Sequence, residues 1–98
     1  MARVTFISAL FVAVFAAPSA FAACYVDYKA KQDDPLRLHY GVMTVQIAPP
    51  CASSPNVNAD VSRRLEEAGW TLLQVESVFD QAALDSKKAD AGEYFLRF

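Results

Sequence analysis

"CASSPNVNADVSRRLEEAGWTLLQVESVF", residues 51–79, passes from a helix to a strand through a single glycine, and that passage decides the fold. Val57, Val61, Leu65 and Ala68 recur at helical spacing and form one narrow apolar stripe, with Arg63, Arg64, Glu66 and Glu67 mostly off it. Ser54 can cap this helix with Pro55 in its first turn, or Asn56 can cap it one turn later. Gly69 stands where a left-handed C-terminal cap is wanted. After it the periodicity switches to two. Thr71, Leu73, Val75, Ser77 and Phe79 alternate with Trp70, Leu72, Gln74, Glu76 and Val78, which predicts a half-buried strand.

Upstream, "LRLHYGVMTVQI" (36–47) is a second strand that ends before Pro49-Pro50, where a ladder cannot continue. Its apolar residues change phase, from Leu36, Leu38 and Tyr40 to Met43, Val45 and Ile47. A β-bulge at Gly41-Val42 would account for that change. Residues 25–32 read as a helix, or Tyr25 to Ala30 as a strand folding back over a turn at Asp33-Asp34-Pro35. The strand reading brings Cys24 near Cys51. Downstream, "DQAALDSKKADAG" is polar and Ala-rich and predicts a short helix or helical turn opened by Asp80. "EYFLRF" (93–98) reads as a closing strand, with Tyr94, Leu96 and Phe98 on one side. One apolar helix stripe covers one sheet face, so the expected class is α+β: a two-layer sandwich of three or four strands, in the order (β)-β-α-β-(short α)-β.

The N-terminus has a different character. Arg3, an apolar run from Phe6 to Ala17, and then Pro18, Ser19 and small residues have the order of a secretory signal peptide. The run is far shorter than the ~20 residues that span a bilayer. Ala20 and Ala22 fit an A-x-A site, so cleavage is expected between Ala22 and Ala23, or one residue later, leaving residues 23–98 as one small domain. The expected location is periplasmic or secreted. A domain of this size gains only roughly 3–5 kcal/mol from a single core. The 98-residue chain has two cysteines, Cys24 and Cys51, and export favours their pairing. Closing a loop of about 28 residues would stabilise by ~3.6 kcal/mol in the chain-entropy model. The competing fate for Cys24 is lipidation, since "FAAC" resembles a lipobox, with Phe21 where that motif has Leu.

"DYKAKQDDPLRLHYGV", "GWTLLQVESVF" and "KKADAGEYFLRF", in this order around a cysteine pair, resemble a group of short uncharacterised secreted proteins of alphaproteobacteria. The layout is similar, more loosely, to a small domain of unknown function with a G-W-x-L-x-x-V element. Neither resemblance implies an activity or a set of site residues. The strand, helix and "GWTLLQVESV" are also faintly similar to half of a SPOR domain, which implies binding to peptidoglycan.

Candidate chemistry is sparse. Lys and Arg number 9 against 11 Asp and Glu, a net charge of −2. That balance does not point to nucleic acid or an anionic membrane surface. His39 is the one histidine, so no Ser-His, Cys-His or multi-histidine metal constellation can be built on a second. Asp33 and Asp34 lack the further oxygens of a hard-metal loop, and Cys24 and Cys51 are not a C-x-x-C pair. Lys87-Lys88 has no Gly-rich phosphate turn before it. The terminal aromatic pattern is that of an outer-membrane barrel strand, but a barrel needs at least about eight strands. No catalytic, cofactor or metal residues are assigned, and no cofactor is expected. Trp70, Tyr40 and Tyr94 are a candidate binding surface, weighed against a place in the core. The expected function is non-catalytic, by binding or as a structural part, with a periplasmic protein or the cell wall as candidate partner. A lipoprotein, a small enzyme and an inhibitor are the alternatives.

Overall fold

The computed structural model describes residues 23–98, and the predicted leader with its Ala22 lies outside them. The architecture is a small α+β fold. Strand β1 (Cys24–Gln32) forms a hairpin with β2 (Arg37–Val45); helix α1 (Pro55–Glu67) follows, then β3 (Thr71–Asp80) and helix α2 (Leu84–Ala91). The sheet is antiparallel with order β2-β1-β3, so the first strand is the central one. Residues 25–32 are thus strand, and the turn at Asp33-Asp34-Pro35 is where the hairpin reverses.

Helix α1 starts where the sequence offers its caps. Ser54 is the N-cap, its Oγ accepting from the Val57 amide at 3.2 Å, and Pro55 occupies the first turn, where its missing N–H costs nothing. At the other end Gly69 (φ 89°) takes the left-handed conformation that a side chain would oppose. The Trp70 amide donates to the Leu65 carbonyl at 2.9 Å and the Gly69 amide to Glu66 at 3.0 Å. This pair of bonds is a Schellman cap, and its usual apolar contact is made by Trp70 and Leu65 in the core. Val57, Val61 and Leu65 are buried against the sheet, worth up to about 1.5–3 kcal/mol each. Ala68, the last residue of the predicted stripe, is exposed.

Both faces of the sheet are used. On the α1 face Cys24, Val26, Tyr28 and Ala30 of β1 meet Met43 and Val45 of β2. On the other face Tyr25 and Val42 form a second cluster with Ala91, and with Leu84, Phe79, Phe95 and Tyr40 at its margin. Helix α2 supplies Ala91 and Leu84 and covers the half of this face nearest the staple. The disulfide between Cys24 and Cys51, with Cα atoms 5.5 Å apart, ties the start of the central strand to the segment leading into α1.

Three local readings are corrected. β2 carries no bulge at Gly41-Val42: all nine of its residues pair in regular register with β1. The apolar phase of the sequence switches because His39 and Gly41 belong to the α1 face together with Met43 and Val45, while Leu38, Tyr40 and Val42 share the other. The bulges lie in β3 instead. The β1–β3 register shifts between Asp27 and Tyr28 and again between Lys29 and Ala30, which leaves Glu76 and Leu73 as the extra residues. Leu72, Val75 and Val78 therefore face the α1 core at a spacing of three, and strict alternation does not hold. Finally, "EYFLRF" is not a regular strand. A 3-10 turn spans Gly92–Tyr94, Leu96 has φ 58°, and the segment meets β2 only through one parallel bridge, Val42 with Phe95. A left-handed residue in the middle interrupts the extended run, so the tail caps the outer edge of β2 without extending the ladder.

Candidate functional site

Three places gather chemically capable side chains: an aromatic box around His39, a carboxylate hub at Asp27, and an uncovered part of the α2 face.

The box begins at Gly41. Gly41 pairs with Tyr28 across the hairpin, and a Cβ there would stand 2.6 Å from Tyr28 Cζ. The absence of a side chain lets the Tyr28 ring lie across β2, and its hydroxyl meets His39 Nε2 at 2.9 Å. Trp70, placed by the Schellman cap, sets its ring edge-on to the imidazole at 4.3 Å between centroids. Tyr94 of the tail stacks on it at 3.7 Å with planes 12° apart, and Phe98 stands 6.0 Å away. Arg64 holds the tail down by donating to the main-chain oxygens of Phe98 (2.9 Å) and Thr44 (2.8 Å). His39 is 8% exposed, and its Nδ1 has no partner among the described residues. Burial, aided by the Arg97 guanidinium, lowers its pKa to about 4 from the usual 6.5, so the ring is neutral near pH 7. Burial also pushes the Tyr28 phenol well above its usual range. A neutral imidazole with no carboxylate hydrogen-bonded to it and one nitrogen sealed among rings is a core residue by its chemistry.

The hub lies on the opposite face. Asp27 is 5% exposed, yet three elements converge on it: Tyr40 Oη of β2 donates at 2.8 Å, Lys87 Nζ of α2 at 3.2 Å, and Ser77 Oγ of β3 donates to the other oxygen. Burial acts to raise the carboxyl pKa, but these three hydrogen bonds and the ammonium charge together hold it below the usual range. The hub docks α2, a helix with little apolar surface, and Lys87 adds a cation–π contact with the Phe79 ring at 4.9 Å.

The candidate surface of Trp70, Tyr40 and Tyr94 is divided by the sheet. Trp70 and Tyr94 meet edge-on at 5.7 Å beside His39, with Trp70 buried, whereas Tyr40 bonds to Asp27 on the other side. The three residues do not form one face. Cys24 and Cys51 are joined, and Ala23, the residue after the expected cut, lies immediately before the central strand.

What is left open is the hairpin end of the α2 face, beyond the reach of α2. Leu36 is 65% exposed, Leu38 66% and Leu73 50%. Leu38 and Leu73 wall a cavity of about 300 Å³ whose other lining residues are Lys29, Ala30, His39 and Tyr40. The bulge puts Leu73 there: a regular register would pair it with Ala30 and turn it toward the α1 core. Sequence reasoning missed this patch because it counted both leucines as strand interior. The signal was present in "LLQVESV", whose apolar residues fit a spacing of three better than two.

Among the described residues no group of three or more His, Cys, Asp or Glu is placed to hold a metal, and no helix is long and apolar enough to cross a membrane. Comparison of the chain with protein-family models, with curated proteins and with solved structures finds no match.

Proposed function

We propose that the protein is an exported, disulfide-stapled domain that acts by binding through the uncovered half of its α2 face, in the periplasm or outside the cell. The observation that carries the reading is the group of exposed leucines, Leu36, Leu38 and Leu73, at the end of the sheet face that α2 leaves open. Contiguous exposed apolar surface on a small domain marks an interaction site. The two groups with enzyme-like chemistry, His39 and Asp27, are consumed by internal contacts that assemble the fold.

Export is supported by the leader-like residues 1–22 and by the Cys24–Cys51 bond, which persists in an oxidising compartment. That bond also counts against a lipid anchor on Cys24, because its sulfur is already used and the residue is buried at the start of the central strand. A fusion of the chain to a reporter enzyme that is active only after export tests the location. Activity that depends on residues 1–22 is the expected result, and activity confined to the cytoplasmic form of the reporter would overturn the reading.

A further inference from the structure

The tail of residues 92–98 wraps the outer edge of β2 and closes the His39 box, yet none of its residues is buried. We propose that this tail is an acid-released strap: protonation of His39 lifts Tyr94 and Phe98 from the imidazole, leaving the sheet and α1 folded and uncovering Trp70 and the outer edge of β2. The groups around the ring differ in how firmly each is held. Tyr28 belongs to the central strand, which is paired on both sides, and Trp70 to the cap of α1, so neither can leave the imidazole without opening the core. Among the described residues the tail meets the sheet backbone only at the Val42–Phe95 bridge, where the Leu96 amide donates to the Val42 carbonyl at 2.8 Å. Its end is held by the Arg64 bond to the Phe98 main-chain oxygen. Leu96, at φ 58°, occupies the left-handed region that its side chain opposes. Gly92, at φ 56°, has nothing within 4 Å of the place a Cβ would take, so a hinge there has room to turn.

A charge on His39 acts against the closed tail. Nε2 keeps the Tyr28 hydroxyl as its partner at 2.9 Å, but a proton on Nδ1 finds no acceptor among the described residues and leaves an orphaned donor on a buried cation. From the tail itself Arg97 repels the imidazolium, while Glu93, which attracts it, is paired with that guanidinium at 3.4 Å. Arg97 also lies over the Tyr94 and Phe98 rings, at 5.7 and 5.9 Å, and so competes for the π-faces that a charged imidazole would draw on. The other elements offer no relief. Along β2 the next side chain on the same face is Arg37, a like charge; α1 brings Arg64, already paired with Asp60 at 3.2 Å; β3 presents Leu72 and Val75, which carry none. Lifting the tail removes Arg97 and gives Nδ1 to water. The ring titrates at about 4 under the closed tail and at 6.5 in water, so the lifted state binds the additional proton between those values. Acidification from pH 7 to 4 therefore favours lifting by up to on the order of a hundredfold.

Trp70 is the one tryptophan of the chain and reports on the box directly. Its fluorescence, followed from pH 7 to 4 beside far-UV circular dichroism of the disulfide-bonded protein, tests the proposal. The expected result is a shift of the emission maximum to longer wavelength while the circular dichroism stays constant, and no such shift in His39→Phe. Arg64→Ala, which frees the Phe98 end of the tail, should move the midpoint to higher pH by up to about one unit. In hydrogen exchange the Leu96 amide should lose its protection over the same pH range while the amides of β1 keep theirs. A constant emission maximum, a shift that comes only with loss of the circular dichroism signal, or a shift that persists in His39→Phe overturns the proposal. So does an unmoved midpoint in Arg64→Ala, or a Leu96 amide still protected at pH 4.

Discussion

His39 shows most clearly how one residue couples the fold to solution conditions. Its imidazole is buried neutral, with a pKa near 4 in the folded protein against 6.5 in an unfolded chain. Between those values the unfolded state binds the additional proton. Stability from this group is therefore complete above about pH 6.5 and is lost as pH falls toward 4, by on the order of 2–3 kcal/mol. Thermal melts from pH 7 to 4 should show a falling melting temperature, and His39→Phe should flatten that slope. An equal slope in the variant would contradict the burial of a neutral ring. Asp27, held below the usual carboxylate range, loses its contribution only below about pH 3.8, so the two groups act in separate windows. Gly41 is the second residue on which the box depends. Gly41→Ala forces the new methyl against the Tyr28 ring and should destabilise by ~1–3 kcal/mol in chemical denaturation. An unchanged midpoint would mean that Tyr28 does not lie across Gly41.

Among the elements, β3 separates what the sequence shows from what it hides. Helix α1 is legible because its stripe, Ser54, Pro55 and Gly69 all give the same boundaries, and the hairpin is legible from Asp33-Asp34-Pro35. The existence of β3 was legible too, but its facing residues were not. Two bulges convert a period of two into a spacing of three, and bulge positions follow from what the core of β1 accepts opposite Tyr28 and Ala30. The closing segment misled for a related reason: its aromatic alternation is real, but Tyr94 and Phe98 serve the His39 box while Phe95 serves the second cluster. Neither assignment can be made without knowing that β2 lies at an edge of the sheet. A pair of substitutions tests the register of β3. Leu72→Asp places a charge against the α1 core and should cost ~2–4 kcal/mol, while Leu73→Asp should stay within about 0.5 kcal/mol of the original protein. Equal costs would restore strict alternation.

At the scale of the whole molecule, the sheet carries a sealed core on one face and a half-covered face on the other, and one covalent bond holds its central strand in place. Cys24 starts that strand and Cys51 lies in the segment that leads into α1, so the staple joins the hairpin to the helix that packs over it. The loop it closes has a sequence separation of 27. Its contribution of ~3.6 kcal/mol in the chain-entropy model is comparable with what the core of a domain this small supplies. The candidate site was legible only in part. The cysteine pair was, whereas the leucine groove was not, because it exists only where α2 ends. The central claim, an exported domain closed by a disulfide, is tested most directly by the intact mass of the protein recovered from outside the cytoplasm, measured with and without reductant. The expected masses are those of a chain beginning at Ala23 or Cys24, lighter by about 2 Da before reduction than after, as loss of two hydrogens requires. A chain that retains residues 1–22, carries acyl groups on Cys24, or has the same mass before and after reduction would contradict it.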